Sequence, residues 1–139
     1  MASSRDPDCL FCKIVAGEIP ATIIAEDERT VAFMDINPAT RGHVLVIPRA
    51  HARDVHDIDP EDLKAVAVAA QTVAARAIER LGAAGVNLLN SSGAAAWQTV
   101  FHFHLHVIPR YADDPLRLPW SPSCGDTDDI AAAGAQLKR

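Results

Sequence analysis

The chain has no excess of positive charge: 13 Lys and Arg stand against 18 Asp and Glu, a formal net charge of −5. That excludes the broad basic footprint by which proteins hold nucleic acid or an anionic membrane surface. An anionic substrate must instead be held by local dipoles and a few side chains. Nor is there an apolar run of transmembrane length, and the opening MASSRDPDC carries no apolar segment of the secretory kind. Three cysteines, an odd number in a chain without such a segment, do not make a disulfide framework. The expectation is a cytoplasmic protein with neither nucleic acid nor membrane as partner. Internal repeats and low-complexity linkers are missing too, so residues 1–139 read as one domain. With 49% hydrophobic and 22% charged residues, that length suffices for one real core.

What is present reads as α+β. Cys9–Ala16 predicts a short N-terminal helix or turn ending at Gly17, with Pro20 beyond it. Strands are expected at Thr22–Glu26 and Thr30–Ile36 around the turn Asp27-Glu28-Arg29, and at His43–Ile47 between Gly42 and Pro48. One long helix is signalled by Asp59 as N-cap, Pro60 in the first turn, Glu61 and Asp62 at the positive end of the dipole, and Gly82 as the stop. Leu63, Val66, Ala67, Ala70, Ala74, Ala77, Ile78 and Leu81 recur along it at helical spacing. Val86–Asn90 and Phe101–Ile108 complete a mostly antiparallel five-stranded sheet. The tail, 112–139, predicts a short helix from Asp128 capped by Thr127 and finished by Lys138 and Arg139.

Three of six histidines are His102, His104 and His106. In a strand, residues two apart share a face, so the imidazoles lie together while Phe103, Leu105 and Val107 face the core. Solvated faces use Lys, Glu, Thr and Ser, and crowded imidazoles disfavour one another's protonation. A neutral imidazole is a competent nucleophile near neutral pH, its ordinary pKa being about 6.5. A metal site of the His-x-His kind, completed by a histidine such as His43, is the alternative that the residues leave open.

The sequence His102-Phe-His104-Leu-His106-Val-Ile matches the His-φ-His-φ-His-φ-φ signature of the histidine-triad (HIT) family. LFCKIVAGEIPATII, AFMDINPATRGHVLVIPRAH and NLLNSSGAAAWQTVFHFHLHVIPR resemble that family's blocks in the same order, over roughly residues 9–110. The resemblance implies a homodimer, with the Ala-rich helix as a contact face, and a purine nucleotide substrate that contains adenosine. It implies hydrolysis or transfer at the α-phosphate through a nucleotidyl-histidine, His104 attacking and His106 protonating the leaving group. His102 would support the site and His43 would steady the nucleophile. Gln98 and Thr99 fall where the family contacts the phosphate, with Asn90 near the same end. Asp35 corresponds to the carboxylate that accepts the ribose hydroxyls, and Phe11, Ile14, Ile19, Phe33 and Ile36 to the apolar clamp on the base. The blocks look most like the bacterial Hint-like nucleoside phosphoramidases. Dinucleoside polyphosphate hydrolysis, a nucleotide sensor or adaptor, and a three-histidine zinc hydrolase are the competing functions.

Cys9-Leu-Phe-Cys12 is a CxxC without a second pair. A redox role would place it at a helix start after a central strand, whereas here it precedes every strand. In some bacterial HIT proteins such a pair joins two distant histidines on structural zinc, and the resemblance supplies His51 and His102. Cys124 reads as a free thiol and His56 as an exposed loop residue.

Overall fold

The computed structural model describes residues 5–138. In chain order it holds α1 (Leu10–Val15), β1 (Ile23–Glu26), β2 (Thr30–Met34), β3 (Val44–Pro48), α2 (Pro60–Leu81), β4 (Gly85–Leu89), β5 (Leu105–Arg110) and α3 (Thr127–Leu137). A three-residue 3-10 turn, Ala94–Ala96, lies between β4 and β5. The five strands form one sheet in the order β1-β2-β3-β5-β4, antiparallel throughout. No described helix is long and apolar enough to cross a membrane.

Both sheet faces are covered, and alternation along the strands decides what faces what. Ala32, Val44, Val46, Phe103 and Val107 pack beneath α2 with Val66, Ala70 and Val73. Val31, Phe33, Leu45 and Ile47 point the opposite way and form a smaller core with Cys9, Phe11, Cys12 and Ile14 of the α1 region. β3, the middle strand, is buried at every residue. α2 begins and ends as its sequence dictates: the Asp59 carboxylate accepts from Glu61 N–H, and Gly82 closes the helix in the left-handed region at φ 72°.

Several expected boundaries shift. The buried stripe of α2 is Val66, Ala70, Val73 and Ala77, so Ala67 and Ile78 face outward and Val73, absent from the expected set, faces in. β2 stops at Met34, which leaves Ile36 in the following turn. β5 starts only at Leu105, so the first two histidines precede the ladder. α3 is capped by the Asp126 carboxylate on Asp129 N–H, not by Thr127; Arg139 lies outside the described residues. The chain turns into its tail through a bidentate Arg110–Asp114 pair and Tyr111, whose hydroxyl donates to Arg41 O.

Candidate active site and metal centre

Because β5 starts late, the chain at Phe101–His104 bends rather than running on as a strand. A flat strand would hold alternate side chains nearly 7 Å apart. Here the His104 and His106 ring centroids are 4.9 Å apart, and Phe11 of α1 lies edge-on to His104 at 5.1 Å and to His102 at 6.0 Å. The imidazoles therefore face the α1 side, opposite Phe103 and Leu105, but none is a solvated surface group: His102 and His104 are buried.

Hydrogen-bond partners fix the tautomer of each ring. His104 Nδ1 lies 2.7 Å from His102 O, so Nδ1 carries the proton and Nε2 keeps a free lone pair. Asn90 pins the same residue from behind, its Nδ2 donating to His104 O at 3.0 Å while Ser92 Oγ donates to Asn90 Oδ1. The Ala39 N–H donates to His43 Nδ1 at 2.9 Å, which leaves the His43 proton on Nε2. That Nε2–H donates to His106 Nδ1 at 2.9 Å, so His106 carries its own proton on Nε2. The middle and last histidines thus present opposite functions: a lone pair on one, an N–H on the other. Burial lowers the pKa of both below the ordinary histidine value. For His106 it falls to about 4, with the His104 and His43 rings adding to the effect.

Asp35 Oδ2 lies 3.5 Å from His43 Nε2, and Asp35 Oδ1 accepts from Asn37 N–H. Asp35, His43 and His106 are close enough to be taken for a metal triad. The Ala39 bond argues otherwise: with Nδ1 already accepting, His43 Nε2 holds a proton and not a lone pair.

His102 is turned the other way. Its Nε2–H donates to Pro48 O at 2.8 Å, which aims the Nδ1 lone pair at Cys9 Sγ (3.4 Å) and Cys12 Sγ (3.5 Å). His51 Nδ1 is 3.4 Å from Cys12 Sγ. Zn–S near 2.3 Å and Zn–N near 2.05 Å, at tetrahedral angles, place S and N ligands about 3.5 Å apart. Cys9, Cys12, His51 and His102 fit that spacing, and all their ligand atoms lie within 4.8 Å of one another. Burial pushes the Cys12 thiol pKa up, an effect that a bound cation would oppose. Since His102 faces the cysteines and His104 gives its Nδ1 proton to a carbonyl, the three triad histidines do not converge on one metal. A three-histidine zinc hydrolase is not supported.

Other expected site residues fall less simply. Gln98 is buried, and its amide is spent on main-chain groups: Nε2 donates to Val100 O of its own loop and to Arg53 O of a distant one, and Oε1 accepts from Gly93 N–H. Both amide hydrogens are thus taken by main-chain carbonyls, where the sequence led us to expect a phosphate contact. Phe11, Ile14 and Phe33 are closed into the smaller core, Phe11 and Phe33 edge-to-face at 5.4 Å. They pack beneath the site and do not stand open as a clamp. Ile19 is half-buried at the margin of that core, Ile36 is 90% exposed, and Thr99 is exposed. Cys124 is a free thiol and His56 is exposed, both as expected. The groups that sequence reasoning missed are main-chain ones: His102 O, Pro48 O and Ala39 N–H. No residue type signals them.

The sequence matches the family model described as the HIT domain over residues 16–113. It is 43% identical over 120 residues to Protein hit of Bacillus subtilis, covering 86% of this chain and 83% of that protein. The chain belongs to the HIT family. A zinc-bound histidine triad family protein from Mycobacterium smegmatis superposes with a TM-score of 0.77 at 44% identity, covering 94% of this chain and 95% of that one. A HIT family hydrolase from Clostridium thermocellum superposes at 0.70 with 42% identity, covering 81% and 99%. HIT proteins are in general nucleotide hydrolases or transferases, and all three histidines of the triad are present here.

Proposed function

We propose that this HIT protein hydrolyses nucleoside phosphoramidates, or closely related nucleotidyl conjugates, through a nucleotide carried on His104. The observation that supports this reading best is the opposed pair of tautomers. His104 Nε2 offers a lone pair beside a His106 that offers Nε2–H. In the first step the His104 nitrogen bonds to the α-phosphorus and the bond to the leaving group breaks. The leaving group takes the electron pair and the His106 Nε2 proton, while the His43 N–H bonded to His106 Nδ1 stabilises the deprotonated ring. In the second step water attacks the phosphorus, returns a proton to His106 and frees the nucleotide from His104. Asp35 accepts the ribose hydroxyls of an adenosine-containing nucleotide. Ile19 and Ile36 contact the base, Phe11 backs the triad from beneath, and Thr99 lies at the phosphate end. Zinc on Cys9, Cys12, His51 and His102 is structural: four protein ligands leave no open position. The functional unit is a cytoplasmic homodimer.

Rapid quench with an adenosine phosphoramidate should trap an acid-labile nucleotide adduct, and peptide mapping should place it on His104. His104→Ala should lose the adduct and several orders of magnitude in turnover, with nucleotide affinity kept within about tenfold. An adduct on His102 or His106, or full turnover by the variant, would overturn the mechanism. Faster turnover of a diadenosine polyphosphate than of the phosphoramidate would overturn the substrate class alone.

A further inference from the structure

Two apolar surfaces of this chain stand open, and their shapes and charges match. α3 is exposed at every residue from Thr127 to Leu137. Ile130, Ala133, Gly134 and Leu137 recur along it at helical spacing and make one apolar stripe, with Ile130 62% and Leu137 87% exposed. Its N-terminal end is acidic, through Asp126, Asp128 and Asp129.

The second surface is a groove along α2. The helix lies mainly over β3 and β5, so the same face of β1 and β2 is walled on one side only. Clefts of about 680 and 260 Å³ run end to end there and share Val73. Ile24 and Met34 form the floor at one end, and the short side chains of Ala65 and Ala69 line the α2 wall at the other. Arg76 and Arg80 stand on the rim near the α2 C-terminus, and neither has an ion pair or side-chain hydrogen bond among the described residues.

We propose that α3 of one chain docks in this groove of a second copy, antiparallel to α2, each copy giving its helix and receiving its partner's. The antiparallel direction sets the acidic end of α3 against Arg76 and Arg80 and opposes the two helix dipoles. Leu137, about 12 Å beyond Asp129 along the axis, then reaches the level of Val68 and Ala69. Ala133 and Gly134 let the helix approach the alanines of α2 closely. The reach is available: the tail is fixed to the body as far as Asp114, and the dozen residues to Asp126 span up to about 40 Å. Within one chain the helix and the groove are both left open, whereas a two-fold exchange covers both in each copy. The inference rests on the homodimer reading above.

Light scattering on the full chain measures the dimer; a mixed disulfide measures the exchange. A chain carrying Cys124→Ser and Val68→Cys is mixed with an affinity-tagged chain carrying Cys124→Ser and Leu137→Cys, under mild oxidation. The expected product is a tagged–untagged disulfide, which Ile130→Asp in the tagged chain reduces at least tenfold. A dimer that gives no mixed product, or a product indifferent to Ile130→Asp, overturns the exchange alone. A monomeric full chain overturns the homodimer reading with it. A doubly substituted chain that closes its disulfide within itself in excess wild-type protein places α3 in its own groove and also overturns the exchange.

Discussion

His104 and His106 are the same residue type two positions apart, and only their hydrogen-bond partners divide the labour between them. A carbonyl on Nδ1 leaves His104 a lone pair; a donor on Nδ1 leaves His106 an N–H. Asp35 is the residue whose two roles can be separated most cleanly. One carboxylate oxygen accepts the Asn37 N–H, a turn bond that asparagine at position 35 would keep. The charge that would meet the ribose is lost in Asp35→Asn. The variant should therefore fold as well as the parent but bind adenosine monophosphate more weakly by about 1.5–3 kcal/mol, with little change for inorganic phosphate. Titration calorimetry with both ligands tests this; equal affinity for the nucleotide in the two proteins would remove Asp35 from the ribose site.

At the scale of elements, α1 is too short to be stable by itself. Its six residues are held by the apolar packing of Phe11 and Ile14 and by two cysteines that face His51 and His102. The Cys9 thiol also serves as the N-cap, accepting from Cys12 N–H. Metal analysis of the protein as isolated should find one zinc per chain. Cys9→Ser with Cys12→Ser should bring it to none and lower Tm by roughly 10 °C, since a structural zinc contributes folding free energy. Unchanged zinc content in the double variant would sink the ligand assignment. The bend before β5 belongs to the same scale: by leaving the ladder before Leu105, the chain frees His102 O for His104 and turns the His102 ring toward α1.

For the whole molecule, the burial of the site makes stability depend on pH. His106 has a pKa near 4 in the folded chain against about 6.5 when unfolded. Between those values the unfolded state binds the proton and the folded state does not, so acid favours unfolding. The contribution of the neutral ring is complete above about pH 6.5, declines as the pH falls toward 4, and changes no further below that. Thermal melts of the wild type and His106→Gln from pH 7 to 4 should show the wild type losing Tm more steeply across that window. Parallel curves, or a wild type that gains on the variant as the pH falls, would contradict the burial argument. The same depressed values keep the triad neutral, and the His104 Nε2 lone pair unprotonated, through the physiological range.

Period and punctuation in the sequence carried most of the fold. The caps of α2, the five apolar runs and the alternation of His with Phe, Leu and Val are local signals, and each produced the expected element within a few residues. The spacing of the histidines, set beside the upstream blocks, carried the family. Local signals could not say where β5 begins, because that depends on how far β3 pairs with it, nor which side of α2 is buried, because Val73 and Ile78 are equally apolar. The site's decisions were longer-range still. Which ring nitrogen is free on each histidine depends on carbonyls and an N–H from segments that the fold brings together, and Pro48 O lies 54 residues from the histidine it orients. Gln98 was expected at the phosphate but is held by Arg53 O, a partner 45 residues away. The sequence by itself determined the reactive groups and the elements that carry them; the tertiary structure alone decided their protonation and direction, because both depend on contacts between segments far apart in the chain.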